Sequence, residues 1–495
     1  MPALDPRLPV LVGVGTASDD AEATDLMARA LLAAIDDAGS ASIARSIDRI
    51  AVPQGTWSYR DPALLVAASV GAKDARTHLV ELGIPQQSLI DDALRAVLAG
   101  ESEVAVVVGG EAKRWARGRE CAGEPTETLQ DAGEPDVVKR RPGPLLEPVE
   151  VAHRLWDPIL QYAMIENALR ASDGQSITDH TREVAELWAG FNRVARSNPE
   201  AAFGEPMEAE EIATPSATNR PLGFPYNKWH ASQWTVDQAA ALLICSVAAA
   251  RRYGVAPERW LFPLVGVESS HAVSLVRRRH LDAWPAMGVL GRAVRSRIGR
   301  PISEVEVVEL YSCFPAAVRV QRRELGFDAA TIPTVTGGMA FAGGPFNNFV
   351  LQSTAAVARR LRFEPGSLGA ITTVSGLLTK PGIGVWSADP DGRPPLLSDL
   401  APEADAATEV IDAVETMDGY RGRATVATYT VTYDGLDPVR VLVLCDTEDG
   451  RRCLAISEDS ELARRAVSSE LVGATGEVAA GAFRLVEAAP PTTVG

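Results

Sequence analysis

Side chains able to do covalent chemistry are few and scattered in this 495-residue chain. Five cysteines stand far apart, at Cys121, Cys245, Cys313, Cys445 and Cys453. None lies beside a histidine at zinc-ligand spacing, so no metal is expected. Cys313 falls in Leu310-Tyr311-Ser312-Cys313-Phe314-Pro315. Its thiol would attack an acyl carbon only as the thiolate, which needs a neighbouring base or cation. Without one, Cys313 reads as a small buried residue. Tyr311 reads either as a donor to a ligand oxygen or as a packing tyrosine. Two glycine-bearing stretches complete the set. Gly337-Gly338-Met339-Ala340-Phe341-Ala342-Gly343-Gly344-Pro345 shapes a backbone without supplying a base, and Val374-Ser375-Gly376 supplies one hydroxyl.

Apolar strands alternating with helical stretches must hold these loops. Residues 10–15 read as a buried strand closing on a glycine turn, 25–38 as a helix stopped by Gly39, and 47–52 as a strand. Residues 91–99 are helical, and 104–108 form a wholly apolar strand closed by Gly109. Such strands are covered on both faces, which implies α/β architecture. A second α/β block follows Leu261, with a helix over 347–361 and a strand over 368–374. In both blocks a helix stops at glycine and the next strand closes on glycine, at Gly100 and Gly109, then Gly366 and Gly376. That pattern suggests an internal duplication.

The charged, helical stretch from Lys113 to Trp234 reads as an inserted lid or binding subdomain. Residues 389–408 are rich in Pro, Asp and Ala, as in a linker. Beyond Arg423 come strands over 424–433, 439–446 and 452–457, a short helix over 460–467 and a last strand near 482–487. An oligonucleotide/oligosaccharide-binding-like barrel is one candidate for this β-rich module. Pro490 and the residues after it read as a frayed tail.

The composition, 46% hydrophobic and 23% charged, is that of an ordinary globular protein. A net charge of −17 argues against general nucleic-acid binding, and no apolar run is long enough to span a bilayer. An odd cysteine count without a secretory start points to reduced thiols and a cytoplasmic location. The densest basic runs, Lys113 to Arg119 and Arg277-Arg278-Arg279-His280, are candidate phosphate grips or solvated faces. Gly13-Val14-Gly15 lacks the third glycine of a dinucleotide turn and reads as a tight turn.

Taken in order, several stretches resemble the thiolase superfamily, and within it the type 1 thiolase-like proteins of the sterol-carrier-protein and acetyl-CoA acetyltransferase-like kind. Residues 92–111 resemble the helix and strand that follow the nucleophile. Pro225-Tyr226-Asn227-Lys228-Trp229-His230, with residues 236–243, resembles the return from the loop domain. Leu310 to Pro315 resembles the His-Asp-Cys-Phe loop, Gly343-Gly344-Pro345 the Gly-His-Pro loop, and Val374-Ser375-Gly376 the Cys-x-Gly loop. The resemblance covers residues 7–388. It implies a duplicated thiolase fold of five αβαβα layers. Its N-terminal half is 1–112 and 235–265, its loop domain 113–234 and its C-terminal half 266–395. A linker over 396–418 leads to an additional β-rich domain over 419–495.

The resemblance further implies coenzyme A or acyl-CoA as ligand, no separate cofactor, and a role in lipid metabolism. In thiolases one cysteine attacks the thioester, a histidine lowers its pKa and a second cysteine moves the Cα proton. This chain departs from that set. No cysteine lies between Arg76 and Gly100, so the nucleophile's place near Gly83 to Gln87 is empty of thiol, and Gly344 stands for the histidine. Tyr311 replaces another histidine, and no cysteine adjoins Gly376. No catalytic residue is therefore firm. The expected site is a set of vestigial loops: Tyr311, Ser312, Cys313, Gly343, Gly344, Pro345, Ser375 and Gly376. The reading is an acyl-CoA-binding protein without ordinary thiolase turnover. Its alternatives are an acyltransferase using Cys313 or Ser375, and a non-enzymatic interaction module. Thiolases pair through the sheet beside the nucleophile loop. The extra domain is expected to cover that surface and leave a monomer, with a core dimer as the alternative.

Overall fold

The computed structural model describes residues 4–130, 133–415 and 419–486. Its strands begin with β1 (Pro9–Ala17), β2 (Ile47–Pro53), β3 (Arg76–Val80), β4 (Val104–Ala112) and β5 (Val137–Lys139). A small pair, β6 (Pro221–Gly223) and β7 (Tyr226–Asn227), precedes β8 (Asp237–Ser246). The first sheet runs β1-β8-β4-β2-β3-β5. The second, ordered β10-β11-β12-β9-β13, comprises β9 (Phe262–Glu268), β10 (Val307–Glu309), β11 (Leu368–Ser375), β12 (Lys380–Ser387) and β13 (Leu396–Asp399). The pairings repeat between sheets. β1–β8 and β9–β12 are antiparallel, as are β4–β8 and β11–β12, whereas β2–β4 and β10–β11 are parallel. The chain is thus a duplicated thiolase fold.

Two helices form the middle layer. Gln86–Ala99 and Phe349–Phe363 each pack against strands of both sheets. Leu89, Ile90, Ala93, Leu94 and Val97 give the first its buried faces, and Gly100 ends it in the left-handed region at φ +74°. Ala23–Ala38 covers the outer face of the first sheet, and Pro285–Ile298 covers the second. Gly13 and Gly15 lie inside β1, not in a turn. A Cβ on either would strike the Ala34 or Ala30 carbonyl of the covering helix, so glycine lets helix and sheet approach closely.

Two expected boundaries differ from the observed fold. Residue 265 cuts β9, which pairs within the second sheet along its length. The stretch read as a linker carries β13, parallel to β9, and the helix Ala401–Ala407. Proline and aspartate gave those residues a linker's composition, but Leu396, Leu397 and Leu400 pack against the core.

The last strands, β14 (Arg421–Asp434), β15 (Asp437–Thr447), β16 (Arg452–Ser457), β17 (Thr475–Ala479) and β18 (Ala482–Leu485), close into a barrel ordered β14-β15-β16-β18-β17. β16 and β18 are parallel and the helix Ser460–Ala466 precedes β17, which is the oligonucleotide/oligosaccharide-binding order. β17 has no counterpart in the sequence reading because Thr475-Gly476-Glu477 looks like a turn. The barrel docks on the helix Pro158–Ser172. Asn167 Nδ2 donates to Tyr429 O at 2.9 Å, Thr430 Oγ1 to Phe224 O at 2.9 Å, and Arg170 pairs with Glu470 at 3.0 Å. It does not cover the outer edge of β3. That edge is paired by β5, in parallel register from His78–Val137 to Val80–Lys139, so the cover comes from the inserted segment. The frayed-tail reading at Pro490 lies outside the described residues.

Candidate active site

After β10 the chain turns through Tyr311 to Phe314 into the helix Pro315–Leu325. Tyr311 N donates to Thr372 Oγ1 on β11 at 2.8 Å, and Gln321 Nε2 donates to Tyr311 O at 2.9 Å. The Tyr311 side chain hydrogen-bonds Gln86, the first residue of its helix. Gln86 Oε1 in turn accepts from Val350 N at 2.9 Å. The place expected for the nucleophile, the Tyr311 loop and the start of Phe349–Phe363 therefore meet around one glutamine.

The Gly344 loop is pinned from the other side. Ser232 N donates to Cys313 O at 2.9 Å, Gly344 N to Gln233 O at 3.0 Å, and Met339 N to Ser312 Oγ at 3.0 Å. Gly343 has φ +102° and turns its open face onto Gln238. A Cβ on Gly344 would collide with Ser232 Oγ. Ser232 thus fills the space in which a histidine would begin. Gly344→His is expected to restore no thiolysis and to cost about 1–3 kcal/mol by overpacking. A thiolysis assay beside a thermal melt checks this, and adding Ser232→Gly should recover the lost stability.

Cys313 is 8% exposed, and burial pushes its thiol up to about 12 despite a hydrogen bond with Tyr162. Such a thiol is protonated at neutral pH and a poor nucleophile. Iodoacetamide at pH 8 is expected to modify exposed Cys121 and spare Cys313, read by peptide mass. Ser375 ends β11, half-buried, and Gly376 follows at φ +61°. Thr379 Oγ1 donates to Gly376 O at 2.7 Å.

Of the six imidazoles, those of His180 and His230 are held in buried hydrogen bonds. His180 Nε2 lies 3.0 Å from Glu166 in a buried network, and His230 Nδ1 accepts from Asn227 N at 3.0 Å. Burial holds His230 neutral, its pKa down at about 4. Several arginines of the basic runs are also committed. Arg278 is buried on the carbonyls of Val273 and Leu377, Arg279 pairs with Glu409, and Arg114 pairs with Asp237. Among the described residues, no cluster of three His, Cys, Asp or Glu side chains could hold a metal ion, and no helix is long and apolar enough to cross a membrane. Beside Gly343 opens a cleft of about 200 Å³, walled by Thr16, Gln238, Ala342 and Gln352.

Three residues of this site escaped the sequence reading. Gln86 and Ser232 carry no signal, being ordinary polar residues in polar surroundings. Lys380 carries one: it is the lone charge in the apolar run Leu377-Leu378-Thr379-Lys380-Pro381-Gly382-Ile383. Its Nζ donates to Gly83 O at 2.6 Å, which ties β12 to the loop before Gln86.

Residues 402–481 match the family model described as the thiolase-like protein type 1 additional C-terminal domain. A monomeric SCP2-thiolase like protein type 1 from Mycobacterium smegmatis superposes with a TM-score of 0.83 at 27% identity, over 98% of this chain and 100% of that one. The chain thus resembles the type 1 thiolase-like proteins over almost all of its length. Acetyl-CoA acetyltransferase from Syntrophomonas wolfei shares the fold alone, with a TM-score of 0.55 at 16% identity over 78% of this chain and 100% of that one. Among curated proteins, the 17-hydroxy-3-oxo-4-pregnene-20-carboxyl-CoA lyase of Mycobacterium tuberculosis is 27% identical over 177 residues. That match spans 35% of this chain and 44% of the lyase.

Proposed function

We propose that this type 1 thiolase-like chain binds coenzyme A or an acyl-CoA at the vestigial loops, in lipid metabolism, without ordinary thiolase turnover. The observation that carries this reading is Ser232 standing where a histidine at position 344 would begin. With no imidazole there and the Cys313 thiol held protonated, the thiolate and its base are both missing from a fold that otherwise keeps its loops. The CoA esters in the names of a curated relative and a structural neighbour support the ligand class. The β5 strand on the edge of β3, with the monomeric relative, supports a monomer.

Incubation with acetyl-CoA followed by intact and peptide mass tests the chemistry. No acyl group is expected on Cys313 or Ser375. A stoichiometric ester or thioester at either would overturn the reading in favour of an acyltransferase of altered mechanism.

A further inference from the structure

Lys380, the first residue of β12, is 5% exposed. Its amine bridges two loops. The Nζ is 2.6 Å from Gly83 O, beside the place of the missing nucleophile, and 3.9 Å from the point where a Cβ on Gly376 would stand. Those are the two loops whose thiols this chain lacks. Among the described residues no acidic group offsets the charge; the neighbouring charge that acts on it is Arg141, another cation. An ammonium buried without a counter-ion is costly, and packing alone gives no reason for it. Burial and Arg141 both lower the pKa of the amine, which favours its neutral, nucleophilic form.

We propose that Lys380 is a carbonyl-accepting amine that forms an imine with the ketone of a 3-oxoacyl thioester. This rests on the proposed binding of CoA esters at the same loops. The Nζ lone pair forms a bond to the ketone carbon while the carbonyl π pair moves to oxygen, which takes a proton from Nζ. Loss of that oxygen as water, with the second Nζ proton, leaves the carbon–nitrogen double bond. No oxidant or reductant is needed. The Ser375 and Thr379 hydroxyls flank Gly376, and Thr379 Oγ1 lies 2.6 Å from the same Cβ point. Leu145 covers the approach, its Cδ2 2.5 Å from where a Cβ on Gly83 would stand. It belongs to a segment whose Pro142, Gly143 and Pro144 are exposed.

The test incubates the full chain with acetoacetyl-CoA and cyanoborohydride, then maps the adduct by peptide mass. A reduced adduct on Lys380 is expected, absent in Lys380→Arg and formed several-fold faster in Leu145→Ala. If calorimetry shows acetoacetyl-CoA bound but no adduct forms, or it forms on another lysine, the role of Lys380 is overturned while CoA binding stands. If acetoacetyl-CoA does not bind, the CoA reading fails and ethyl acetoacetate replaces it as probe. An adduct on Lys380 then sustains the amine's role, and its absence overturns it.

Discussion

Arg319→Ala is expected to cost about 3–5 kcal/mol of stability, because it strands a carboxylate in the core. Glu166 on the helix Pro158–Ser172 is fully buried and pairs with Arg319 on Pro315–Leu325. It also accepts from Tyr226 OH at 2.6 Å and contacts His180 Nε2 at 3.0 Å. Tyr226 OH accepts from Ala316 N at 3.0 Å, at the start of the helix that follows Cys313. One carboxylate therefore joins the inserted segment to the Tyr311 loop. Burial alone would raise its pKa, but Arg319, His180 and Tyr226 together hold it down at about 2. A folded value below the ordinary one means this stabilisation is complete above about pH 4.5 and is lost as pH falls toward 2. Urea unfolding at pH 7 and pH 3 should show that acid loss in the parent chain and much less of it in Arg319→Ala. Equal acid sensitivity in both would place the network's energy elsewhere.

Glu309→Ala is expected to have a comparable effect, about 3 kcal/mol or more, by leaving several buried donors without an acceptor. The Glu309 carboxyl accepts from Val335 N at 2.7 Å, Thr336 N at 2.9 Å, Thr334 Oγ1 at 2.8 Å and Thr336 Oγ1 at 2.9 Å. Those hydroxyls in turn accept from Gly337 N and Gly338 N, both at positive φ. The loop that leads to Gly344 is thus suspended from one side chain on β10. Hydrogen exchange should rise over residues 334–345 in Glu309→Ala and less in Glu309→Gln, which keeps one acceptor. A uniform rise across the chain would mean that the contact is not specific to this loop.

Much of the fold was legible because it follows from local rules. Wholly apolar strands such as β4 and glycine-stopped helices such as Gln86–Ala99 announce a sheet covered on both sides. β13 and β17 were not legible, since each is short, polar in composition and made a strand only by the neighbour it pairs with. The candidate loops could be proposed from their glycines and proline, which fix backbone shape. What stands around them could not. Ser232 and Lys380 reach Gly344 and Gly83 across 112 and 297 positions of sequence, and no local pattern records such an approach. For the same reason the sequence points to the terminal barrel as cover for the sheet, whereas Val137–Lys139 pairs the β3 edge.

The most direct measurement is a calorimetric titration of the full chain with acetoacetyl-CoA alone, followed by injections of coenzyme A into the same cell. Binding without thiolysis should give heats that saturate at one site per chain and return to baseline after every injection. Sustained heat after each injection, with acetyl-CoA accumulating, would contradict the loss of thiolase turnover, and an absence of saturable heat would contradict the ligand.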